Sequence, residues 1–229
     1  MLRELGEAAD ERKAANLAWF FKTGKGEYGE GDIFLGITVP AARKIALRYC
    51  HLTLKDNAKL LASPRHEHRF VALEILVKQY ECVDERHKQE IFDFYLSQTH
   101  RVNNWDLVDA SAPYIVGEHL LTRPRTLLIR LAKSNSLWER RIAMVATLGL
   151  VRHGELKDAL RIARKLLGDK EPLIHKAVGW ILREVGKVSR DELVQFLEKN
   201  HAKMPRTTLR YAIERFSPEE RQKWLRRGK

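Results

Sequence analysis

Apolar positions along the 229 residues recur at helical spacing, and no stretch shows the strict alternation of a half-buried strand. Residues 2–22 read as one helix, with Leu5, Ala9, Leu17, Phe20 and Phe21 apolar. Four glycines, Gly24, Gly26, Gly29 and Gly31, then fall within eight positions, a density that predicts an irregular loop. The apolar run 33–39 is expected to dock that loop onto the body. Pro40 suits a first helical turn and brings Arg43, Lys44 and Arg48 onto the helix it opens. Further helix starts are signalled at Ser63-Pro64 (running to about Tyr80), Asp84 (reaching Gln98), Asn104, Pro124, Ser136, Asp169, Ser189 and Ser217. Ser189 with Glu192 and Ser217 with Glu220 have the spacing of capping boxes. The expected class is all-α.

A period runs through these helices. Small residues inside apolar text recur at Ala72, Ala110, Ala143, Gly179 and Ala212, in steps of 33 to 38 residues. The surrounding text is alike in His68-Arg69-Phe70-Val71-Ala72-Leu73, Arg140-Arg141-Ile142-Ala143-Met144-Val145 and His175-Lys176-Ala177-Val178-Gly179-Trp180. Helix pairs at that period predict an α-solenoid of HEAT-like repeats, a single domain over 1–229 that contains the Gly-rich loop 23–36. The marked helices should form the inner layer, and their remaining side chains should line a concave groove.

The chemistry concentrates in Asn103-Asn104-Trp105-Asp106-Leu107-Val108-Asp109-Ala110. Asp is a poor residue for a helix interior, yet Asp109 sits among Val108, Ala110, Ser111 and Ala112. On a helix, Trp105 and Asp109 share a face with Cβ atoms about 6 Å apart. A carboxylate beside an indole suits a developing cation, because full charge and ring quadrupole act in the same sense. The plainer explanation is a paired, structural Asp109 and a packed Trp105. Trp180 and Arg141 fall on other helices of the same periodic set. With them the set holds one negative group, one positive group and two indoles.

Charge adds a partner. There are 42 Lys and Arg against 30 Asp and Glu, and residues 151–229 carry 20 basic against 11 acidic side chains. A basic excess of that kind fits a polyanion. Lys176, Arg183, Lys187, Arg206 and Arg210 can flank phosphates. Cys50 and Cys82 form neither a zinc pattern nor a disulfide framework and fit a reducing cytoplasm. No apolar run approaches the ~20 residues of a membrane span. Glu4, Glu7 and Asp10 are unlike a targeting peptide. The Gly-rich loop lacks the GKT or GKS ending of a nucleotide P-loop. His66-Glu67-His68 lacks a third metal ligand.

The chain resembles the AlkD-type DNA alkylation repair enzymes, the HEAT-like-repeat DNA glycosylases, over nearly its whole length. The resemblance is carried by Tyr28-Gly29-Glu30-Gly31-Asp32-Ile33-Phe34-Leu35-Gly36 and Val39-Pro40-Ala41-Ala42-Arg43. It continues in Trp105-Asp106-Leu107-Val108-Asp109, Leu137-Trp138-Glu139-Arg140-Arg141 and Lys176-Ala177-Val178-Gly179-Trp180-Ile181-Leu182-Arg183-Glu184. It implies a monofunctional glycosylase that removes N3- and N7-alkylated purines from double-stranded DNA, as a monomer and with no cofactor. It implies Asp109 as the catalytic carboxylate, Trp105 and Trp180 as the groove tryptophans, and Arg141 as the groove arginine with Arg140 a near alternative. The family's tyrosine beside the DNA corresponds to Tyr28, and Arg43, Lys44, Lys176, Arg183 and Lys187 to backbone contacts. The resemblance also implies that the lesion stays stacked while the enzyme grips the backbone. The alternatives are a non-catalytic HEAT-repeat module that binds distorted DNA and a solenoid for acidic protein partners.

Overall fold

The computed structural model describes residues 1–227, which are helical almost throughout; the one backbone pairing of β type among them is an isolated parallel bridge between Ile33 and Arg65. The chain divides into two compact units, Met1–Ile115 and Val116–Lys229. The first holds α1 (Leu2–Glu7), α2 (Glu11–Phe20), α3 (Val39–Arg48), α4 (Leu54–Leu61), α5 (His66–Cys82), α6 (Glu85–Ser97) and α7 (Trp105–Ala112). The second holds α8 (Thr126–Leu131), α9 (Leu137–Arg152), α10 (Lys157–Leu166), α11 (Pro172–Val188), α12 (Arg190–Asn200), α13 (Arg206–Ala212) and α14 (Pro218–Arg226). No helix among the described residues is long and apolar enough to cross a membrane.

Each unit is built around one helix that is covered on several sides. In the first, α5 packs on α3, α4, α6 and α7, and every residue from His66 to Val77 is buried. In the second, α11 packs on α9, α10, α12 and α13. The odd-numbered helices from α3 to α7 and from α9 to α13 thus lie side by side within their units, while even-numbered ones back them. This is the packing of stacked helical repeats. The periodic small residues all fall in the odd-numbered layer: Ala72 on α5, Ala110 on α7, Ala143 on α9, Gly179 on α11 and Ala212 on α13. Ala72, Ala143, Gly179 and Ala212 are buried, whereas Ala110 is partly exposed.

The capping side chains at Asp84, Asn104, Ser136, Ser189 and Ser217 accept hydrogen bonds where the sequence places them. The reciprocal capping box forms at Ser217 and Glu220. Several expectations need correcting. The helices expected at Pro124 and Asp169 begin at Thr126 and Pro172, and at Ser189 the hydroxyl accepts the Glu192 N–H without the reciprocal bond of a capping box. Residues 2–22 are two helices, because Asp10 takes an extended conformation and its carboxylate accepts the Lys13 N–H at 3.0 Å, starting α2 afresh. The helix expected from Ser63-Pro64 begins at His66 instead, since residues 63–65 are occupied in pairing with Ile33. There the Ile33 N–H donates to Pro64 O at 3.2 Å and the His66 N–H to Ile33 O at 2.8 Å. That pairing docks the Gly-rich loop, as the apolar run 33–39 predicts. The Glu67 carboxylate completes it by accepting the N–H groups of Leu35, Gly36 and Ile37 at 2.9, 2.8 and 3.2 Å.

Gly179 shows why a small residue is needed where α11 meets α13. A Cβ there would lie 2.5 Å from the Tyr211 Cβ and 2.6 Å from the Thr208 carbonyl oxygen. The neighbour is partly backbone, so relief requires the helices to separate. Gly179→Ala should lower the free energy of unfolding by about 2 kcal/mol, the usual scale of overpacking, despite the better helix propensity of Ala. Urea denaturation of both proteins measures the difference.

Candidate functional site

The start of α7 is fixed by side chains rather than by packing alone. Asn104 is fully buried in extended conformation, and its Oδ1 accepts the Trp105 N–H at 2.8 Å. Its Nδ2 donates to Asp32 Oδ2 at 3.2 Å. Trp105 is the first helical residue, and Asp109 lies one turn further on, partly exposed. Behind Asp109, Ser111 donates its hydroxyl to Leu107 O at 2.6 Å and lies 3.0 Å from the Tyr95 hydroxyl. Burial pushes the Tyr95 phenol well above its ordinary value, the Ser111 hydrogen bond opposes this, and the Asp109 charge adds to the rise. The Trp105 ring stacks on Phe21 (centroids 5.0 Å apart, planes at 8°) and meets the edge of Phe20 at 6.1 Å. One π face of the indole is therefore covered by Phe21.

Beneath α7 lies a cluster that sequence reasoning did not single out. His66 Nδ1 is 2.9 Å from Asp32 Oδ2, and His66 Nε2 is 2.8 Å from Asp106 Oδ2. Arg69 bonds to the other Asp32 oxygen and donates to Ser63 O at 2.9 Å. Phe34 stacks on the imidazole with centroids 4.5 Å apart. Burial alone would favour the neutral ring. Hydrogen bonds and charge from Asp106 and Asp32 outweigh it and raise the His66 pKa to about 9. Burial likewise pushes the Asp32 pKa up, but His66 and Arg69 bring it below the ordinary carboxylate value. All three residues of His66-Glu67-His68 are thus engaged: His66 by two carboxylates, Glu67 by three backbone N–H groups, and His68 Nδ1 by the Ser63 hydroxyl at 3.0 Å. The available signals were Asp32 inside the Gly-rich motif and an ionisable run opening an otherwise buried helix.

The remaining candidates of the first unit are peripheral. Arg43 pairs with Glu74 at 2.9 Å with its side chain 55% exposed, and Lys44 is exposed. Tyr28 is half-buried, its hydroxyl 3.5 Å from Phe20 O.

In the second unit Arg141 is buried and donates to Leu173 O at 2.6 Å, which ties α9 to the first turn of α11. Arg140 is tied to the turn before α11. Its Nε donates to Asp169 Oδ2 at 2.6 Å and its Nη1 to Ser134 O and Asn135 O at 3.0 Å each. Lys176, Trp180, Arg183 and Lys187 recur at i, i+4, i+7 and i+11, so α11 presents them along one stripe. Arg183 pairs with Glu214 and Glu184, and Lys187 with Glu184 at 2.7 Å. Lys176 is exposed and has no carboxylate partner among the described residues. Trp105 and Asp109 thus share one helix, and Lys176, Trp180, Arg183 and Lys187 share another that Arg141 helps to hold.

A family model described as DNA alkylation repair enzyme matches residues 1–216. Among solved structures, the chain is similar to one described as a predicted DNA alkylation repair enzyme from Enterococcus faecalis. The identity is 16%, 92% of this chain and 97% of that one are covered, and the TM-score is 0.71. At that identity the likeness speaks to fold. No curated protein matches.

The His66 cluster sets a pH dependence. A histidine whose folded pKa is raised contributes stability that is complete below its unfolded value near 6.5 and is lost as pH rises through about 9. The depressed Asp32 pKa acts at the other end: its contribution is present above about 3.8 and lost as pH falls through the lower folded value. Unfolding free energy should therefore fall between pH 6.5 and 9 by an amount on the order of 3 kcal/mol. In His66→Gln that fall should be absent. Denaturation across this pH range checks both.

Proposed function

The chain belongs to the DNA alkylation repair enzyme family, and from that premise we propose that it is a monofunctional DNA glycosylase that hydrolyses the N-glycosidic bond of cationic N3- and N7-alkylated purines in double-stranded DNA. The observation that carries this is Asp109, a partly exposed carboxylate one turn beyond Trp105 on a helix whose first turn is held by Asn104, His66 and Phe21.

Alkylation at N3 or N7 gives the purine a positive charge, so the base departs with the bonding electron pair as a neutral molecule. It needs no general acid. The barrier is the positive charge that grows on deoxyribose C1′ and O4′. Asp109 stabilises that charge and accepts a proton from the water that attacks C1′, leaving an abasic site. The partly exposed indole of Trp105 adds a π surface to the same cation, while Phe21 stacks on one of its faces. No metal or cofactor takes part in these steps. Trp180 packs on the sugar-phosphate backbone from within the Lys176, Arg183 and Lys187 stripe. Arg141, buried and donating to Leu173 O, acts by fixing the start of α11 and with it this stripe, not by meeting a phosphate itself. Arg43, Lys44 and Tyr28 meet the backbone from the first unit. Arg140 acts at one remove, by holding the Asp169 turn from which α11 begins.

Asp109→Asn removes the charge and keeps the shape. It should lower kcat for release of 7-methylguanine by about a hundredfold or more, roughly 2.7 kcal/mol of transition-state stabilisation. Affinity for undamaged duplex should be unchanged or higher. Single-turnover base release and equilibrium binding separate the two quantities. A wild-type chain that binds distorted duplex but releases no base would be the non-catalytic module instead.

Lesion choice gives a second check. In duplexes that differ only at one base, 3-methyladenine and 7-methylguanine should be released. Hypoxanthine and uracil should be released at least a hundredfold more slowly, because they must leave with protonation or as anions. Equal rates for hypoxanthine and 7-methylguanine would reveal a general acid and overturn the mechanism.

A further inference from the structure

His66 enters the interior at the first position of α5, with only 3% of its side chain exposed. Its two nitrogens both face carboxylates, from the Gly-rich loop (Asp32) and from the second residue of α7 (Asp106). A neutral imidazole carries one N–H and one lone pair, so it can satisfy only one of these two acceptors. The protonated ring satisfies both. The charged groups around it complete the balance: Asp32 and Asp106 are negative, while His66 and Arg69 are positive. No other charged partner of His66 is found among the described residues.

Asp106 has few other ties. Its Oδ2 is used by His66, and its Oδ1 is buried with no hydrogen-bond partner. Asp106 also stands between the two residues given chemical roles above, next to Trp105 and three positions before Asp109. The rings complete the connection. Phe34 stacks on His66, Phe21 stacks on Phe34 at 4.9 Å, and Trp105 stacks on Phe21.

We infer that His66, as an imidazolium, is a positioning residue for the reaction: it pins the first turn of α7 through Asp106 and so fixes where Trp105 and Asp109 stand. The ring touches no reacting atom and acts through α7 alone. An approach shifted by a fraction of an ångström weakens stabilisation of a developing charge more than it weakens backbone binding. His66 should therefore govern kcat and leave affinity nearly unchanged. This last step rests on the glycosylase reading; the pinning of α7 does not.

The test uses the full chain in three measurements. Ring ¹⁵N NMR of the native protein should show both His66 nitrogens protonated at pH 7.5. In His66→Gln, hydrogen exchange at the amides of Trp105 and Val108, which bond to Asn104, should accelerate at least tenfold more than in the middle of α5, where it reports the loss of global stability. Release of 7-methylguanine by His66→Gln should fall tenfold or more in kcat with duplex affinity within about twofold. The double variant His66→Gln/Asp106→Asn, which restores donor–acceptor matching without charge, should recover both amide protection and most of the rate. A neutral ring at pH 7.5, exchange at Trp105 and Val108 accelerated no more than in the middle of α5, or no recovery in the double variant would each overturn the inference. Absence of base release by the wild type would overturn the glycosylase reading alone, since the NMR and exchange results would still decide whether His66 pins α7.

Discussion

Asp32, His66, Arg69 and Asp106 bury four ionisable groups in one place, and such a group of charges is stable only when complete. Removing one partner of a buried ion pair costs roughly 3–5 kcal/mol, because the remaining charge is left without water or counter-charge. Each member comes from a different stretch or turn: the Gly-rich loop, the first turn of α5, its second turn, and the first turn of α7. The cluster therefore joins these pieces in a single register. Glu67, the next residue, holds the loop beyond Asp32 by three backbone N–H groups, so two consecutive side chains of α5 determine the path of the loop. Trp105 inherits its orientation from this framework through Phe21.

The second unit reaches order by a different route. Gly179 allows α13 against α11, and Thr208 donates its hydroxyl to His175 O across the same contact at 3.0 Å. Trp180, one residue on, is turned about 100° around the helix from that contact and joins the basic stripe. Arg140 and Arg141 are adjacent in sequence and both serve the beginning of α11, one through Asp169 and the other through Leu173. Two neighbouring arginines that look interchangeable in the sequence have distinct partners.

The all-helical class and the odd-numbered layer were legible because they depend on local signals: capping side chains, and small residues at a fixed period. The break at Asp10 was locally signalled as well, by an N-cap residue, but the apolar spacing across it suggested continuity. The starts of α10 and α13 carry no capping side chain, at Leu156 and Pro205, and had no such signal. Within the site, Trp105 and Asp109 could be placed on one face because they lie four residues apart. The covering of Trp105 by Phe21 could not, since those residues are far apart in the chain. The same holds for His66, whose partners lie 34 and 40 residues away. Arg140 reads in the sequence as a near alternative to Arg141 for the groove arginine; its commitment to Asp169 depends on a turn 29 residues downstream.

The separation within the His66 cluster also bears on how the protein comes to exist. Asn104, which bonds to Asp32, is made 72 residues after it. During synthesis the Gly-rich loop, and with it the end of α2, has no finished seat until the first turn of α7 has left the ribosome. Until then Phe20 and Phe21 have no Trp105 to meet, and His66 has only one of its two carboxylates. The stretch from Phe20 to Phe34 is thus made well before the residues that complete its seat, which leaves its apolar side chains open to chaperones during translation.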